Sequence, residues 1–227
     1  MKYKAAFFDR DGTLVHRNPD TAKWRNETIA KWSGKAFDLP YEKMISLFEK
    51  ASEGKNPWYR NVDDEIAFMH RYYRYLLEGE GIHAHLELRT KELFDYLWND
   101  PPVPYPETIE VLDYFHKKGY KMGVISDTSP SLQLTLEQAG IAHYFTSFTA
   151  SSLVGVMKPD PIIFNAALNA QGVTAQDSLY VDDYDVEADG ARNIGFTSFL
   201  IDREQRHNSP WAIGSLRAMV DYVEART

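Results

Sequence analysis

The chain reads as an α/β protein: a doubly wound parallel sheet interrupted, after its first strand, by an all-helical insertion. Three observations predict this. Short unbroken apolar runs alternate with amphipathic stretches of helix length, once near the N-terminus and repeatedly from residue 106 onward. The runs end on acidic or hydroxyl residues. Residues 18–98, between the first run and the second, show helical periodicity and no convincing strand.

The first run, Ala5–Phe8, stops at Asp9-Arg10-Asp11-Gly12, and Tyr120–Ile125 stops at Ser126-Asp127. Phe145–Ala150 is a weaker third. Leu179–Val181 ends at Asp182-Asp183, and Phe196–Ile201 ends at Asp202. Runs this short and continuous suit strands buried on both faces, as in parallel sheets. Pro106-Glu107 opens a helical pattern in which Ile109, Leu112 and Phe115 fall near one face, and Gly119 closes it; proline at a helix start and glycine past its end is the expected asymmetry. Ser129–Ala139, Pro161–Ala170 and Asp185–Ile194 behave similarly. Strand, helix, strand, helix implies right-handed crossovers. Within the insertion, Tyr41–Lys50, Asp63–Leu77 and Leu86–Trp98 read as helices. The prolines of Asp100–Pro106 make a stiff connector back to the core. The expected domains are therefore 1–17 with 100–227, and 18–99.

Composition narrows the partners. Lys and Arg number 25 against 33 Asp and Glu, a formal charge of −8. Such a body repels nucleic-acid phosphates and anionic lipid, so neither nucleic acid nor membrane is expected as a partner. No apolar run approaches the about 20 residues of a membrane span. Ala5–Phe8 is too short for a signal-peptide core and reads as a strand. The sequon Asn26-Glu27-Thr28 is then idle, and the expected location is cytoplasmic, as a monomer or homodimer. With no cysteine, thiol catalysis, disulfides and cysteine-ligated metal centres are excluded. No Walker loop, Gly-x-Gly-x-x-Gly, Gly-x-Ser-x-Gly or His-Glu-x-x-His is present.

In parallel α/β sheets ligands bind outside the carboxyl ends of the strands. The residues at those ends are Asp9 and Asp11, then Ser126, then Asp182 and Asp183; Lys158, in Met157-Lys158-Pro159-Asp160-Pro161, directly precedes a helix. Four carboxylates cannot share a small site unless a cation offsets their repulsion. Oxygen-only ligands favour a hard divalent ion, and Mg²⁺ is the common one in phosphate chemistry. Lys158 and Ser126 would face the other side of the bound anion, an arrangement suited to phosphoryl transfer. Taken singly, each residue has a blander reading as a turn, a cap or a surface charge. The ordered set carries the inference.

That ordered set resembles a known family. Phe7-Phe8-Asp9-Arg10-Asp11-Gly12-Thr13-Leu14-Val15 looks like the first motif of the haloacid dehalogenase superfamily of hydrolases. Val124-Ile125-Ser126 resembles the second motif, Lys158-Pro159-Asp160-Pro161 the third, and Leu179–Asp183 followed by Glu187 and Gly190-Ala191-Arg192 the fourth. The resemblance implies a Rossmann-like core with an inserted all-helical cap of the C1 type, nearest to the phosphoglycolate phosphatase-like branch. It implies Asp9 as the nucleophile forming an aspartyl-phosphate and Asp11 as the acid that protonates the leaving alcohol, then the base that activates water. Ser126, Asp127 and Lys158 fall at the phosphate. Mg²⁺ would be held by the Asp9 side chain, the Asp11 backbone carbonyl and the Asp182/Asp183 pair, the Asp-Asp-x-x-x-Glu spacing favouring Asp183 as the direct ligand.

Two details set the expected reaction. The dehalogenase branch lacks the second aspartate, so Asp11 points to phosphoester chemistry. Thr13 resembles phosphatases, whereas sugar phosphomutases more often carry Val there. The chain is thus expected to hydrolyse a small phosphorylated metabolite. A phosphomutase is the alternative, followed by a haloacid dehalogenase or a non-catalytic phosphoryl-ligand binder. Two departures stand out: Asp127, where many relatives carry Asn, and Glu187, where Asp or Asn is commoner. In such folds the cap reads the leaving group. The loop Gly54–Asn61, with Lys55, Trp58 and Arg60, is the candidate there; Trp24, Arg25 and Trp32 are further ones. His83 and His85 read as surface, His16 as structural, and Tyr72–Tyr75 as cap packing.

Overall fold

The computed structural model describes residues 2–54 and 59–226. The chain divides into two compact units, Met1–His16 with Pro102–Thr227, and Arg17–Pro101. The seams fall between residues 16 and 17 and between 101 and 102.

In chain order the elements begin with strand β1 (Ala5–Phe8) and the two-residue β2 (Val15–His16). The helical unit follows with α1 (Pro19–Ser33), α2 (Tyr41–Ser52), α3 (Val62–Gly79) and α4 (Leu86–Asn99). The chain then returns through β3 (Val103–Pro104), α5 (Thr108–Lys117), β4 (Lys121–Ser126) and α6 (Leu132–Gln138). Next come β5 (Ser147–Ala150), α7 (Ser151–Val154), α8 (Pro161–Gln171) and β6 (Ser178–Asp182). The last elements are α9 (Asp185–Asn193), β7 (Thr197–Ile201), β8 (Ala212–Ile213) and α10 (Arg217–Glu224).

One six-stranded sheet runs in the order β5-β4-β1-β6-β7-β8, with every neighbouring pair parallel. β1 is central. The chain first lays β4 and β5 on one side of it, then places β6 and β7 on the other, so the strand order reverses about β1. This is the switch point where such sheets open a crevice at their carboxyl ends.

All four residues of β1 are fully buried, because helices cover both faces. Side chains alternate between faces with period two. Ala6, Phe8, Val124 and Val181 join the layer with α5, α6 and α10, while Ala5, Phe7, Ile125 and Tyr180 join the one with α8 and α9. The tightest point is Gly123 in β4. A Cβ there would lie 2.5 Å from Ser147 Oγ and 2.8 Å from the Phe7 ring.

The helical unit has its own core, in which Ile29, Leu47, Phe68, Leu76, Leu77 and Leu93 are buried. Its first helix was not singled out by periodicity, since Ile29 is the one buried residue among its fifteen. Its end signals are present: Asn18 caps the Asp20 amide, Pro19 follows, and Gly34 closes in the left-handed region. Tyr72 and Tyr73 are buried in this core, while His83 and His85 are exposed. Two element starts move inward. α6 begins at Leu132 rather than Ser129, as Pro130 disfavours helical backbone at the residue before it. α5 begins at Thr108 because Pro106 and Glu107 form a turn closed by the Thr108 amide on the Tyr105 carbonyl. The proline connector contributes β3, paired antiparallel with β2. Among the described residues no helix is long and apolar enough to cross a membrane.

Gly123→Ala should cost about 1–3 kcal/mol by overpacking, read as a lower urea midpoint with an unchanged slope. An unchanged midpoint would show that Phe7 and Ser147 yield freely.

Candidate active site

Strand parity assembles the site. Asp9 lies two residues past Phe7, Asp127 two past Ile125, and Asp182 two past Tyr180. All three therefore project to the α8 face, and Lys158 stands before the first turn of α8. The Asp9 amide donates to the Val181 carbonyl at 2.9 Å, continuing the ladder and setting Asp9 level with Asp182.

Lys158 is the centre. Its side chain is 1% exposed, and its Nζ lies 2.8 Å from Asp9 Oδ1, 2.7 Å from Asp182 Oδ2 and 2.6 Å from Glu187 Oε2. Its backbone amide donates to Asp127 Oδ1 at 3.0 Å. Asp127, the departure noted above, thus points at the backbone of the lysine loop and ties the end of β4 to it. Glu187, the other departure, is a direct partner of the ammonium.

The charges do not balance. One ammonium faces three carboxylates, and Asp183 is close by. Burial pushes the Asp9 carboxyl up to about 8 against the pull of Lys158, with Asp182 raising it further. Burial likewise lifts Glu187 to about 7 and Asp183 to about 6, and Asp182 adds to both. Burial alone would discharge Lys158, but the carboxylates of Asp9, Asp182 and Glu187 hold it protonated.

Asp9, Asp182 and Asp183 each bring a carboxylate oxygen within 4.8 Å of the others. This all-oxygen set carries an excess of negative charge, and it fits a hard divalent cation. Asp182 is heavily committed: Oδ2 accepts from Lys158 and from the Tyr180 hydroxyl, and Oδ1 accepts from the Tyr184 amide. Asp183 instead lies against Gly12, where φ is +74° and a Cβ would collide with Asp183 Oδ2.

Asp11 stands apart from this cluster. Its side chain is 59% exposed, and Arg10 donates to its Oδ2 from Nη2 at 2.6 Å and from Nε at 3.1 Å. Arg10 is itself anchored through Nη1 on Thr135 Oγ1. Ser126 ends β4 and is buried. The loop carrying Asp9 is braced from β7's end, where Arg203 donates to the Thr13 carbonyl at 2.9 Å and pairs with buried Glu107 at 2.5 Å.

In the helical unit, Lys55 and Trp58 lie outside the described residues, and Arg60 is exposed, its amide bonding Asp64 in the first turn of α3. Trp24 stacks on Tyr96 at 3.5 Å, and Arg89 lies over Trp32, so both tryptophans have packing roles. Two contributors escaped sequence reasoning. Tyr180 was read as part of an apolar run, although its two-residue offset from Asp182 was a usable signal. Arg10 lies within the first motif, where its sequence position carries no signal of its pairing with Asp11.

The chain is similar to known proteins. The family model described as haloacid dehalogenase-like hydrolase matches residues 3–195. Glyceraldehyde 3-phosphate phosphatase of Methanocaldococcus jannaschii is 26% identical over 97% of both chains. Phosphoglycolate phosphatase of Aliivibrio fischeri is 26% identical over 91% of this chain and 87% of its own. The crystal structure of 2-haloacid dehalogenase from Pseudomonas syringae pv. Tomato superposes with a TM-score of 0.72 at 19% identity, over 99% of this chain and all of its own, a likeness of fold alone.

Gly12→Ala should both strain the backbone and displace the Asp183 carboxylate, at a cost of about 1–3 kcal/mol. Equilibrium denaturation that matches wild type would show that Asp183 has room to retreat. The chain belongs to the haloacid dehalogenase-like hydrolases.

Proposed function

We propose that this hydrolase is a Mg²⁺-dependent phosphatase that cleaves a small phosphomonoester through an aspartyl-phosphate on Asp9. One observation carries the reading: a buried carboxylate at the switch point, 2.8 Å from a buried ammonium, with a second aspartate two residues on. The curated relatives above are named as phosphatases of small phosphorylated metabolites, which supports the same class.

Asp9 attacks phosphorus, and the bond from phosphorus to the leaving oxygen breaks as the Asp9 oxygen–phosphorus bond forms. Lys158 and Ser126 hold the phosphoryl oxygens. Asp11 gives its proton to the departing alkoxide. Both Arg10 contacts fall on Oδ2, so Oδ1 is the oxygen that carries that proton. Asp11 then takes a proton from the water that attacks phosphorus, which returns Asp9 as a carboxylate and releases inorganic phosphate. Asp9, Asp183 and the Asp11 backbone carbonyl, with Asp182 alongside, would hold Mg²⁺, which would supply positive charge to offset the phosphoryl oxygens and these acids.

Recognition of the leaving group is proposed for the helical unit, with Lys55, Trp58 and Arg60 as its candidate residues. A dehalogenase has no use for Asp11, since a halide leaves without a proton. A phosphomutase would return an isomerised sugar phosphate instead of inorganic phosphate.

Asp11→Asn should lower kcat/KM for alkyl phosphates by about 10²–10⁴ and for p-nitrophenyl phosphate far less, because that leaving group needs no proton. Equal losses on both substrates would contradict the acid role. Protons and metal compete for the same carboxylates. The groups raised to about 8 and about 6 are Asp9 and Asp183. Magnesium should therefore stabilise the fold more at pH 8 than at pH 6, by about 2.7 kcal/mol at a hundredfold excess over Kd, read as a higher melting temperature. No shift at either pH would contradict the metal site.

A further inference from the structure

Tyr180 is a buried titratable group that the chemistry above does not use. It is fully buried in β6, with its ring held edge-on by Phe164 at 5.5 Å and packed on Phe196 at 5.9 Å. Its hydroxyl sits inside the charged cluster, donating to Asp182 Oδ2 and standing 3.3 Å from Lys158 Nζ.

Proton counting defines what this hydroxyl does. An ammonium has three protons. Asp9, Asp182 and Glu187 match all three at 2.6–2.8 Å. The Tyr180 oxygen is the most distant neighbour, and its own proton is directed at Asp182. Asp182 therefore keeps two donors that do not come from lysine, the Tyr180 hydroxyl and the Tyr184 amide.

An arriving phosphoryl group needs at least one lysine proton. Withdrawing it from Asp9 would compete with the nucleophile, and withdrawing it from Glu187 would take the one donor that carboxylate has among the described residues. Withdrawing it from Asp182 leaves that buried carboxylate still hydrogen-bonded at both oxygens. A buried carboxylate stripped of donors is costly, so this difference decides which bond opens.

We infer that Tyr180 is a positioning residue: by keeping Asp182 hydrogen-bonded, it lets Lys158 turn one proton from Asp182 to the phosphoryl anion. The inference rests on the phosphoryl-binding reading of the site. It goes beyond that reading by naming the bond that opens and the group that compensates.

The test is binding of inorganic phosphate in saturating magnesium, followed by calorimetry without turnover. Tyr180→Phe keeps the ring and removes the hydroxyl. It should weaken phosphate binding at least fivefold, with unchanged circular dichroism and cooperative melting. In the Asp182→Asn background, where no buried charge is left to serve, the same change should alter Kd less than twofold. An unaltered Kd in Y180F would overturn the inference, as would an equal loss in both backgrounds. Should Y180F fail to fold, the Y180F/D182N double variant is expected to fold and to bind phosphate as D182N does. A double variant weaker than D182N would again overturn it. Wild-type protein that binds no phosphate would instead remove the phosphoryl reading itself, a distinguishable outcome.

Discussion

A single buried ammonium, clasped by more carboxylates than it can neutralise, is the constraint on which the rest of this site depends. Lys158 is drawn at once to Asp9, Asp182 and Glu187. An ion pair taken out of water gains little unless every partner is hydrogen-bonded, and here the surplus acids stay reluctant to ionise. The imbalance creates a demand for positive charge beside the buried Asp9 carboxyl. On the function proposed above, a divalent cation would answer that demand, and a phosphoryl group would then meet both cation and ammonium.

The fold makes this arrangement inexpensive in conformational terms. Asp9 and Asp182 extend two adjacent strands whose register is set by parallel pairing, Phe8 with Val181. Lys158 is delivered from the opposite layer by the loop before α8, where Asp160 caps the helix and Asp127 bonds the lysine amide. Rigid elements therefore hold the charged groups. The loop after Asp9 is pinned by Arg203 on the Thr13 carbonyl and by Thr108 on the Leu14 carbonyl. Asp127 accepts from the Lys158 amide through Oδ1, and burial pushes its carboxyl above the ordinary range.

Much of this was legible in the residues. Strands buried on both faces show as unbroken apolar runs, and their polar stops mark the crevice. Asp9, Ser126 and Asp182 were readable for that reason, and Lys158 through its place before a capped helix. Elements without a burial signature were not readable. β2, β3 and β8 are two residues each, and α1 buries Ile29 alone. Tyr180 was hidden by its own hydrophobicity: an aromatic ring in an apolar run reads as core, and only parity with Asp182 reveals where its hydroxyl goes. The pairing of Arg10 with Asp11 depends on a turn that sequence spacing does not specify.

The most direct measurement of the central claim is acid-quench trapping during turnover of a phosphomonoester, with the labelled peptide identified by mass spectrometry. The account predicts a hydroxylamine-sensitive acyl phosphate on Asp9 and on no other residue. Steady turnover with no phosphorylated protein, or with the label on another side chain, would contradict it.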